Sequence, residues 1–479
     1  MKTSFLTSTR FVLAATIISL LPSSALAAGS PSELLEKGIY TEETKGDVDA
    51  AIAIYQQLVT EAKANQSLAA QAQYRLALCL AKKNRAIEAK AAFEKLISDF
   101  PSEKQLVAKA REHLPADLTL SPITWADGER LVLNLTLASG MDIGAMETRA
   151  DLVESNGRKV WRVGRLMSGG GASVSTVDVE PDSFRPLASY WKHTLLGEVS
   201  AIYRPNEIEL RKAGSTEATK VPLEKTVFDN EACFHLPRRL PLQAGYKATI
   251  NVVATIGGGG TIPIVFEVVK KESLEVPAGK FDCFKIQLSI GQTMWYSDDA
   301  HRYLVKFEGG GAIGQLASIT QRKAGAPVAF RDDDLGIAFN APPDWLVHRF
   351  GKGQPGKNTL IRTFDANADA DDGGLRIFAT DSLSAAARQS SRAWAESSLS
   401  GRKDVKVRAD SWKTLNVAGR VAASCVADYS DAGKSRVQYL VHALGPKNSE
   451  FFVISSSPEK FDALKAAFET VITSYRTTK

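Results

Sequence analysis

The sequence predicts a multidomain chain in three parts: an all-α pair of helical hairpins, a mostly antiparallel β domain curved into an open barrel, and an α+β sandwich. Three observations predict it. Residues 31–114 carry apolar side chains at helical spacing with no strand pattern, and from Trp125 to about Thr320 the period falls to two. Beyond Val328, short strands mix with two helical stretches. At 479 residues and 44% apolar content the chain exceeds one ordinary core. The expected domains are 28–114, 123–322 and 329–479, joined by linkers at 115–122 and 323–328.

Ahead of these lies a processing segment. Lys2 and Arg10 flank its basic region, residues 11–21 form an apolar run, and Ala25-Leu26-Ala27 is a small-x-small cleavage site. Residues 1–27 therefore read as a signal peptide cut after Ala27, which sends the mature protein to the periplasm or outside the cell. The run is too short to span a bilayer, and no cysteine follows the site to carry a lipid. Losing Lys2 and Arg10 lowers the formal charge from +5 to +3, and no basic face of the kind that phosphate backbones require is present, so nucleic acid is excluded as a partner. Cys79, Cys233, Cys283 and Cys425 show no metal-like spacing. Cys233 and Cys283 share a domain and are open to pairing or to packing as small hydrophobes.

In the helical part Ala51, Tyr55 and Leu58 recur as Ala89, Phe93 and Leu96, a register of 38 residues in which an insert at 63–66 carries the excess over a unit of about 34. Leu76-Ala77 and Pro101 complete the second unit. The small Ala lets the next helix approach and the aromatic fills the gap beside it. This pattern resembles a pair of tetratricopeptide repeats, with residues 102–114 as a capping helix over the last apolar face. The resemblance implies a groove for a protein or peptide partner; a stack this short also suits a spacer.

In the β part Leu131, Leu133, Leu135 and Leu137 alternate with polar residues, and Asn156-Gly157 joins two runs as a tight hairpin. Further strands are expected at 161–166, 173–179, 187–193, 199–203, 208–211, 246–255 and 262–269, with a short helix or irregular crossover at 230–240. The densest signal spans 275–307, with a turn at 277–279 and a break at 298–300 between aromatic-rich runs. A dozen strands in one flat sheet would leave long edges, hence the expected curvature. The stretch Val276-Pro-Ala-Gly-Lys-Phe-Asp-Cys-Phe-Lys-Ile286, the run Trp295-Tyr-Ser-Asp-Asp299 and Tyr303-Leu-Val-Lys-Phe307, closed by Gly314 to Leu316, are similar to exported bacterial β-rich proteins of the DUF3108-like group. The resemblance implies an envelope-located, barrel-like domain and carries over no catalytic residue. A hydrophobic ligand such as a lipid would fit its concavity, lined by Trp161, Tyr190, Trp191, Trp295 and Tyr303. The competing role for these aromatics is core packing.

The last part begins with a strand at 335–339 and a stiff Pro342-Pro343-Asp344-Trp345 turn. Strands at 359–364 and 375–379, a helix at 384–399, strands at 405–409, 420–429, 436–443 and 450–455, and a helix at 458–475 follow. Phe461, Leu464, Phe468, Val471 and Ile472 form the stripe by which that helix lies on a sheet. This order, with Gly336-Ile-Ala-Phe339 and Pro343-x-Trp345 at its start, resembles the PsbP-like fold, whose members are mostly small accessory or binding proteins.

Chemistry-bearing motifs are sparse. The six histidines stand singly, without a zinc pair. Asp298, Asp299 and His301 suit a turn better than an ion site. Asp365-x-Asn367-x-Asp369-x-Asp371 alternates oxygens as a calcium loop does, but Ala370 stands where glycine is needed and Arg376 where glutamate is. Gly309-x-Gly311-x-x-Gly314 matches the dinucleotide string without the helix that phosphate binding needs. Ser457-Pro458 reads as a helix N-cap with proline at the first helical position, and Arg238-Arg239 as a solvated pair. No metal, cofactor or catalytic set is expected. The expected function is that of an exported, non-catalytic envelope protein acting by binding; the alternative is a periplasmic hydrolase whose site is assembled from distant residues.

Overall fold

The computed structural model describes residues 30–478 apart from 63–64, 84, 115–117, 169–171, 194–195, 224–225, 323–324, 344, 352–359, 366–371, 401–403 and 432. The leader, the glycine run at 169–171 and the middle of the calcium-like loop lie outside the described residues.

Five helices come first: α1 (Pro31–Glu43), α2 (Val48–Glu61), α3 (Gln66–Lys82), α4 (Ala86–Asp99) and α5 (Lys104–Glu112). The repeat residues Ala51, Tyr55, Leu58, Ala89, Phe93 and Leu96 are all buried in their shared core. The first hairpin closes tightly because Gly38 has no side chain: a Cβ there would sit 2.5 Å from the Tyr55 ring. The Tyr55 hydroxyl then donates to Glu42 at 2.9 Å, and the same carboxylate takes Arg75 at 3.0 Å and Lys82 at 2.6 Å from α3. One buried acid thus ties three helices, with its charge balanced by two cations.

Fifteen strands follow. The first eight are β1 (Glu129–Leu137), β2 (Asp142–Ser155), β3 (Arg158–Ser168), β4 (Ala172–Val179), β5 (Pro186–His193), β6 (Gly197–Tyr203), β7 (Glu207–Lys212) and β8 (Thr219–Pro222). The rest are β9 (Phe228–Asp229), β10 (Lys247–Ala254), β11 (Gly260–Val276), β12 (Gly279–Leu288), β13 (Gln292–Ser297), β14 (Leu304–Gly309) and β15 (Ala312–Gln321). They form one sheet, in the order β8 back to β1, then β15 back to β9. Each half is a meander of neighbouring strands, and the halves meet where β1 pairs with β15 from Glu129↔Gln321 to Leu137↔Ala312. All pairings are antiparallel except the short β9–β10 ladder.

The expected open barrel takes the form of one fifteen-stranded sheet with β8 and β9 as its edges among the described residues. Its ends still meet through side chains. Val199, Ala201, Ile208 and Leu210 pack with Val227 and Val253, and the Tyr203 hydroxyl donates to Asp229 at 2.5 Å. Curling buries both apolar ends without joining them as a ladder. The glycine string resolves into two jobs. Gly310 and Gly311, at φ of 59° and 80°, make the β14–β15 turn, while a Cβ on Gly314 would collide with the Phe307 ring that covers it.

The crossover at 230–240 consists of two 3₁₀ turns, Asn230–Ala232 and Leu236–Arg239. Here the reading of Arg238-Arg239 as a solvated pair is overturned: both are buried. Arg238 pairs with Glu129 at the start of β1 and donates to the His301 carbonyl at 2.7 and 3.1 Å. Its guanidinium lies over Trp125 at 5.2 Å and Tyr303 at 5.7 Å. Arg239 donates to the carbonyls of Ser121, Pro181 and Asp182 at 2.8 to 2.9 Å. The flanking Leu236, Pro237, Leu240 and Leu242 hold the crossover in the core.

The last unit contains β16 (Val328–Asp332), β17 (Ile337–Ala341), β18 (Trp345–Arg349), β19 (Leu360–Asp365), β20 (Asp372–Ala379), α6 (Ser391–Ser400), β21 (Lys406–Val407), β22 (Lys413–Val417), β23 (Arg420–Asp431), β24 (Lys434–Ala443), β25 (Asn448–Ser456), α7 (Phe461–Ser474) and β26 (Arg476–Thr477). β16, β17 and β26 make a small sheet; the other eight strands make a larger one. On one side the predicted stripe of α7 meets Trp345, Val441 and Phe452. On the other, α6 sets Trp394, Ala395 and Leu399 against Cys425, Leu440 and Phe451.

Two helices start later than the sequence suggests. Ser384 caps an isolated turn by accepting from Ala387 N, and Ser390 then accepts from Ala393 N to open α6. α7 starts at Phe461 with no side-chain cap, so Ser457 closes a preceding turn through its carbonyl and is not the N-cap.

Removing one member of a buried, hydrogen-bonded ion pair strands the other in a low-dielectric core. Arg238→Met is expected to lower unfolding stability by about 3 to 5 kcal/mol. Glu129→Gln in the same background should recover part of that loss, read by urea denaturation of the four species of the cycle. Simple additivity of the two substitutions would contradict the pairing.

Candidate functional site

A cleft of about 730 Å³ lies between the β domain and the last unit. Its near wall is Val132 and Asn134 of β1 with Ala317, Ser318, Thr320 and Gln321 of β15; its far wall is β16 and β18. The two units are held in place beside it. Leu346 of β18 inserts among Val132, Ala145, Leu166 and Val174, and His348 Nε2 sits 2.9 Å from an Asp142 carboxylate oxygen. Asp142 also accepts the Gly351 and Gly144 amides at 3.0 and 2.9 Å. Burial works to raise the Asp142 pKa, yet these donors and the His348 charge hold it below the ordinary range.

The charged groups around the cleft are already matched. Glu147, fully buried, accepts Arg149 at 2.8 Å and is paired with Arg322, which reaches across to the Pro343 carbonyl at 3.5 Å. Arg349 binds Asp332 at 2.7 Å, joining β18 to β16. What remains for a ligand is an uncharged surface of Val132, Val328, Phe330 and Val347 with the amide and hydroxyls of Asn134, Ser318 and Thr320. That surface suits a neutral ligand that hydrogen-bonds.

The five aromatic residues expected to line a concavity do not share one. Trp161 stands edge-on to Trp125 at 6.1 Å, and Tyr303 stacks on His301 at 5.0 Å beside Arg238, so these two meet at the crossover knot. Tyr190 and Trp191 are consecutive on β5, where successive side chains point to opposite faces. Trp191 is buried and stacks on His193 at 5.8 Å. Trp295 is buried between Lys285 and Lys306, at 5.1 and 4.7 Å from its ring, and donates to Glu272 at 2.8 Å. None of the five lines the cleft.

The other candidate clusters have structural explanations. Asp299 accepts the His301 and Arg302 amides at 2.8 and 2.9 Å, and Asp298 pairs with Lys271 and Arg302, which makes a capped turn. The four cysteines are buried and free, so Cys233 and Cys283 are not bridged. Among the described residues no group of three His, Cys, Asp or Glu side chains is placed to hold a metal ion.

Sequence reading missed the docking residues. Leu346 and His348 follow a Pro-Pro turn, and the signal was the alternation of Trp345 and Val347 with them, two residues facing inward and two facing the β domain.

Three buried ionisable groups set opposing pH responses. Burial, helped by the neighbouring Glu231 charge, raises Asp229 to about 6. Burial lowers His442 to about 4, where its ring stacks on Trp394 at 4.2 Å, and lowers His235 to about 3 with help from the Arg238 charge. A histidine depressed from its usual range costs stability as pH falls from about 6.5 towards 4, by up to about 3 kcal/mol for His442. An aspartate raised to about 6 costs stability as pH rises from about 4 through 6. His442→Phe should therefore raise the urea midpoint relative to the parent more at pH 4.5 than at 7.5, and Asp229→Asn more at pH 7.5 than at 4.5. Shifts of equal size at both pH values would contradict these assignments.

Comparison with known proteins gives two family matches. Residues 132–320 match a family described as a protein of unknown function, DUF3108, and residues 71–102, covering most of α3 and all of α4, match a tetratricopeptide repeat. No curated protein matches the chain. Among solved structures, the cyanobacterial PsbP protein CyanoP of Synechocystis sp. PCC 6803 is 15% identical with a TM-score of 0.25, covering 32% of this chain and 94% of that one. LpqN of Mycobacterium tuberculosis, involved in cell envelope biogenesis, is 15% identical with a TM-score of 0.23, covering 33% and 87%. A putative exported protein with a YmcC-like fold from Bacteroides fragilis is 14% identical with a TM-score of 0.18, covering 43% and 100%. The chain thus combines a tetratricopeptide-type repeat with a DUF3108-type segment.

Proposed function

We propose that this chain is an exported, non-catalytic envelope protein that engages a protein partner through its helical repeats, with the β domain as their rigid support and a PsbP-like unit at the C-terminus. The observation that carries the reading is how the helical unit is mounted. Its α4–α5 side is turned to the sheet: Phe93 stacks on His113 at 4.6 Å, the Thr249 hydroxyl donates to the Glu112 carbonyl at 3.3 Å, and a cavity of about 190 Å³ between Phe93, His113, Pro263 and Ile290 marks the seam. Among the described residues α1 and α2 contribute none to that seam cavity, and on α1 Tyr40 is 53% exposed with Lys45 over its ring at 5.5 Å.

Exposed aromatic side chains are enriched at protein contacts. The leader sequence supports export, and the repeat match supports a protein as the ligand. A lipid inside the β domain finds less support, because Leu131, Met146, Val163, Val177, Ile250, Phe266, Ile286 and Tyr296 already fill its interior as one core.

The test is site-specific photo-cross-linking of the exported full chain in envelope fractions, with the probe at Tyr40, at Gln71 or, as a remote control, at the exposed Val421. A discrete protein adduct from Tyr40 and Gln71 and none from Val421 is the expected outcome. An identical adduct from all three positions, or none from the helical ones, would remove the helical unit from the binding role.

A further inference from the structure

We propose that the cleft between the β domain and the last unit is a second binding site, independent of the helical unit, which accepts an extended polypeptide segment as an added β-strand. The geometry of its lining points to this. A sheet that meets a cavity face-on presents alternate residues, whereas a strand that meets it edge-on presents consecutive ones. The β-domain wall shows alternate residues, Val132 with Asn134 and Ser318 with Thr320, whereas the far wall shows the consecutive Val328, Ala329 and Phe330 and all of Leu346 to Arg349.

β16 and β18 border the cleft as unpaired edges, while β1 and β15 turn towards it the sheet face that carries Val132, Asn134, Ser318 and Thr320. β16 is the end strand of the small sheet and β18 the end strand of the large one. β15 is paired with β14 only from Ala312 to Gln315, whereas its other side remains on β1 as far as Gln321. Outside those ladders, residues 317–321, 328–331 and 346–349 make no backbone hydrogen bond to any described residue. The edges of β16 and β18 thus carry amide donors and carbonyl acceptors without a described backbone partner beside a common space. Backbone groups of that kind are satisfied by another backbone, which is the chemistry of strand addition.

Proteins that must keep an edge vacant place a charge or a proline within it. Val328-Ala329-Phe330 has neither; Pro327 precedes β16, and the charged Arg331 and Asp332 at its end are paired with Asp333 and Arg349. The five residues of β16 offer an edge of about 17 Å, enough to register a short segment. Selectivity follows from the lining. Because Glu147, Arg349 and His348 are matched within the protein, charge on the guest gains nothing, and the favoured guest alternates apolar side chains against Val132 and Phe330 with small hydroxyl side chains against Asn134 and Ser318.

The experiment uses residues 28–479 and fluorescein-labelled octapeptides of alternating Val/Thr and Val/Ser sequence, each beside an analogue N-methylated at alternate amides. Fluorescence anisotropy reads affinity, and hydrogen exchange with mass spectrometry reads location. The parent peptides are expected to bind and to slow exchange at 317–321, 328–331 and 346–349. N-methylation should weaken binding by about tenfold or more, since each lost backbone bond is worth about 1 kcal/mol. Ala329→Lys and Thr320→Lys, both at exposed positions, should do the same with unchanged circular dichroism, while Ala329→Ser should bind as the parent does. Equal affinity of the N-methylated peptides, protection mapped to other segments, or no binding up to roughly 1 mM would each overturn the proposal. Cross-linking at Tyr40 reports on the helical unit alone, so either idea can fail without the other.

Discussion

The β domain depends on one buried guanidinium. Arg238 lies on the crossover between the two meanders and reaches three places far apart in sequence: the Glu129 carboxylate that opens β1, the His301 carbonyl in the β13–β14 turn, and the Trp125 and Tyr303 rings. An arginine is suited to this because its planar fork offers several donors in fixed directions and its faces stack on aromatics. A lysine would supply charge without the fork. With Arg239 bound to three further carbonyls next to it, the crossover becomes a rivet through the inside of a curled sheet whose strand ladder alone leaves the two ends unjoined.

The same economy of charge holds at the surface where the units meet. Glu147, Asp142, Asp332 and the cations beside them neutralise one another around a cleft that stays apolar and uncharged. Matching of this kind fixes orientation more than it adds stability, because desolvation offsets much of the attraction. The apolar insertion of Leu346 supplies the affinity. The last unit is thereby held against β2 with β16 and β18 still bordering open space, and that is what distinguishes the cleft from a closed domain interface.

Local pattern carried much of this architecture. The alternation from Leu131 to Leu137, the Asn156-Gly157 hairpin, the breaks at 277–279 and 298–300, and the stripe from Phe461 to Ile472 all correspond to elements of the structure, because each is decided within a few residues by period and turn chemistry. Failures came where distant contacts decide. Nothing local distinguishes the buried Arg238 from a solvated arginine, since its partners stand at 129 and 301. Trp295 looked available as a ligand contact because sequence does not reveal that Lys285 and Lys306, on the strands either side of it, cover it. The cleft was invisible for the same reason: its walls are joined only by the docking of Leu346 and His348.

Within the sheet, every strand from β2 to β8 and from β10 to β14 has a neighbour in sequence as its partner on both sides or on its inner side, so those hairpins form from what is already at hand. The β1–β15 ladder alone joins residues almost two hundred positions apart. During synthesis or export β1 thus emerges first among the strands and receives its second partner last. Until then Leu131, Leu133 and Leu135 stand on an open edge of just the type that templates aggregation. The long-range ladder is consequently a timing constraint as well as a structural one, and a chain interrupted before Ala312 would carry that sticky edge permanently, which makes such fragments natural clients for chaperones and proteases rather than smaller working versions of the protein.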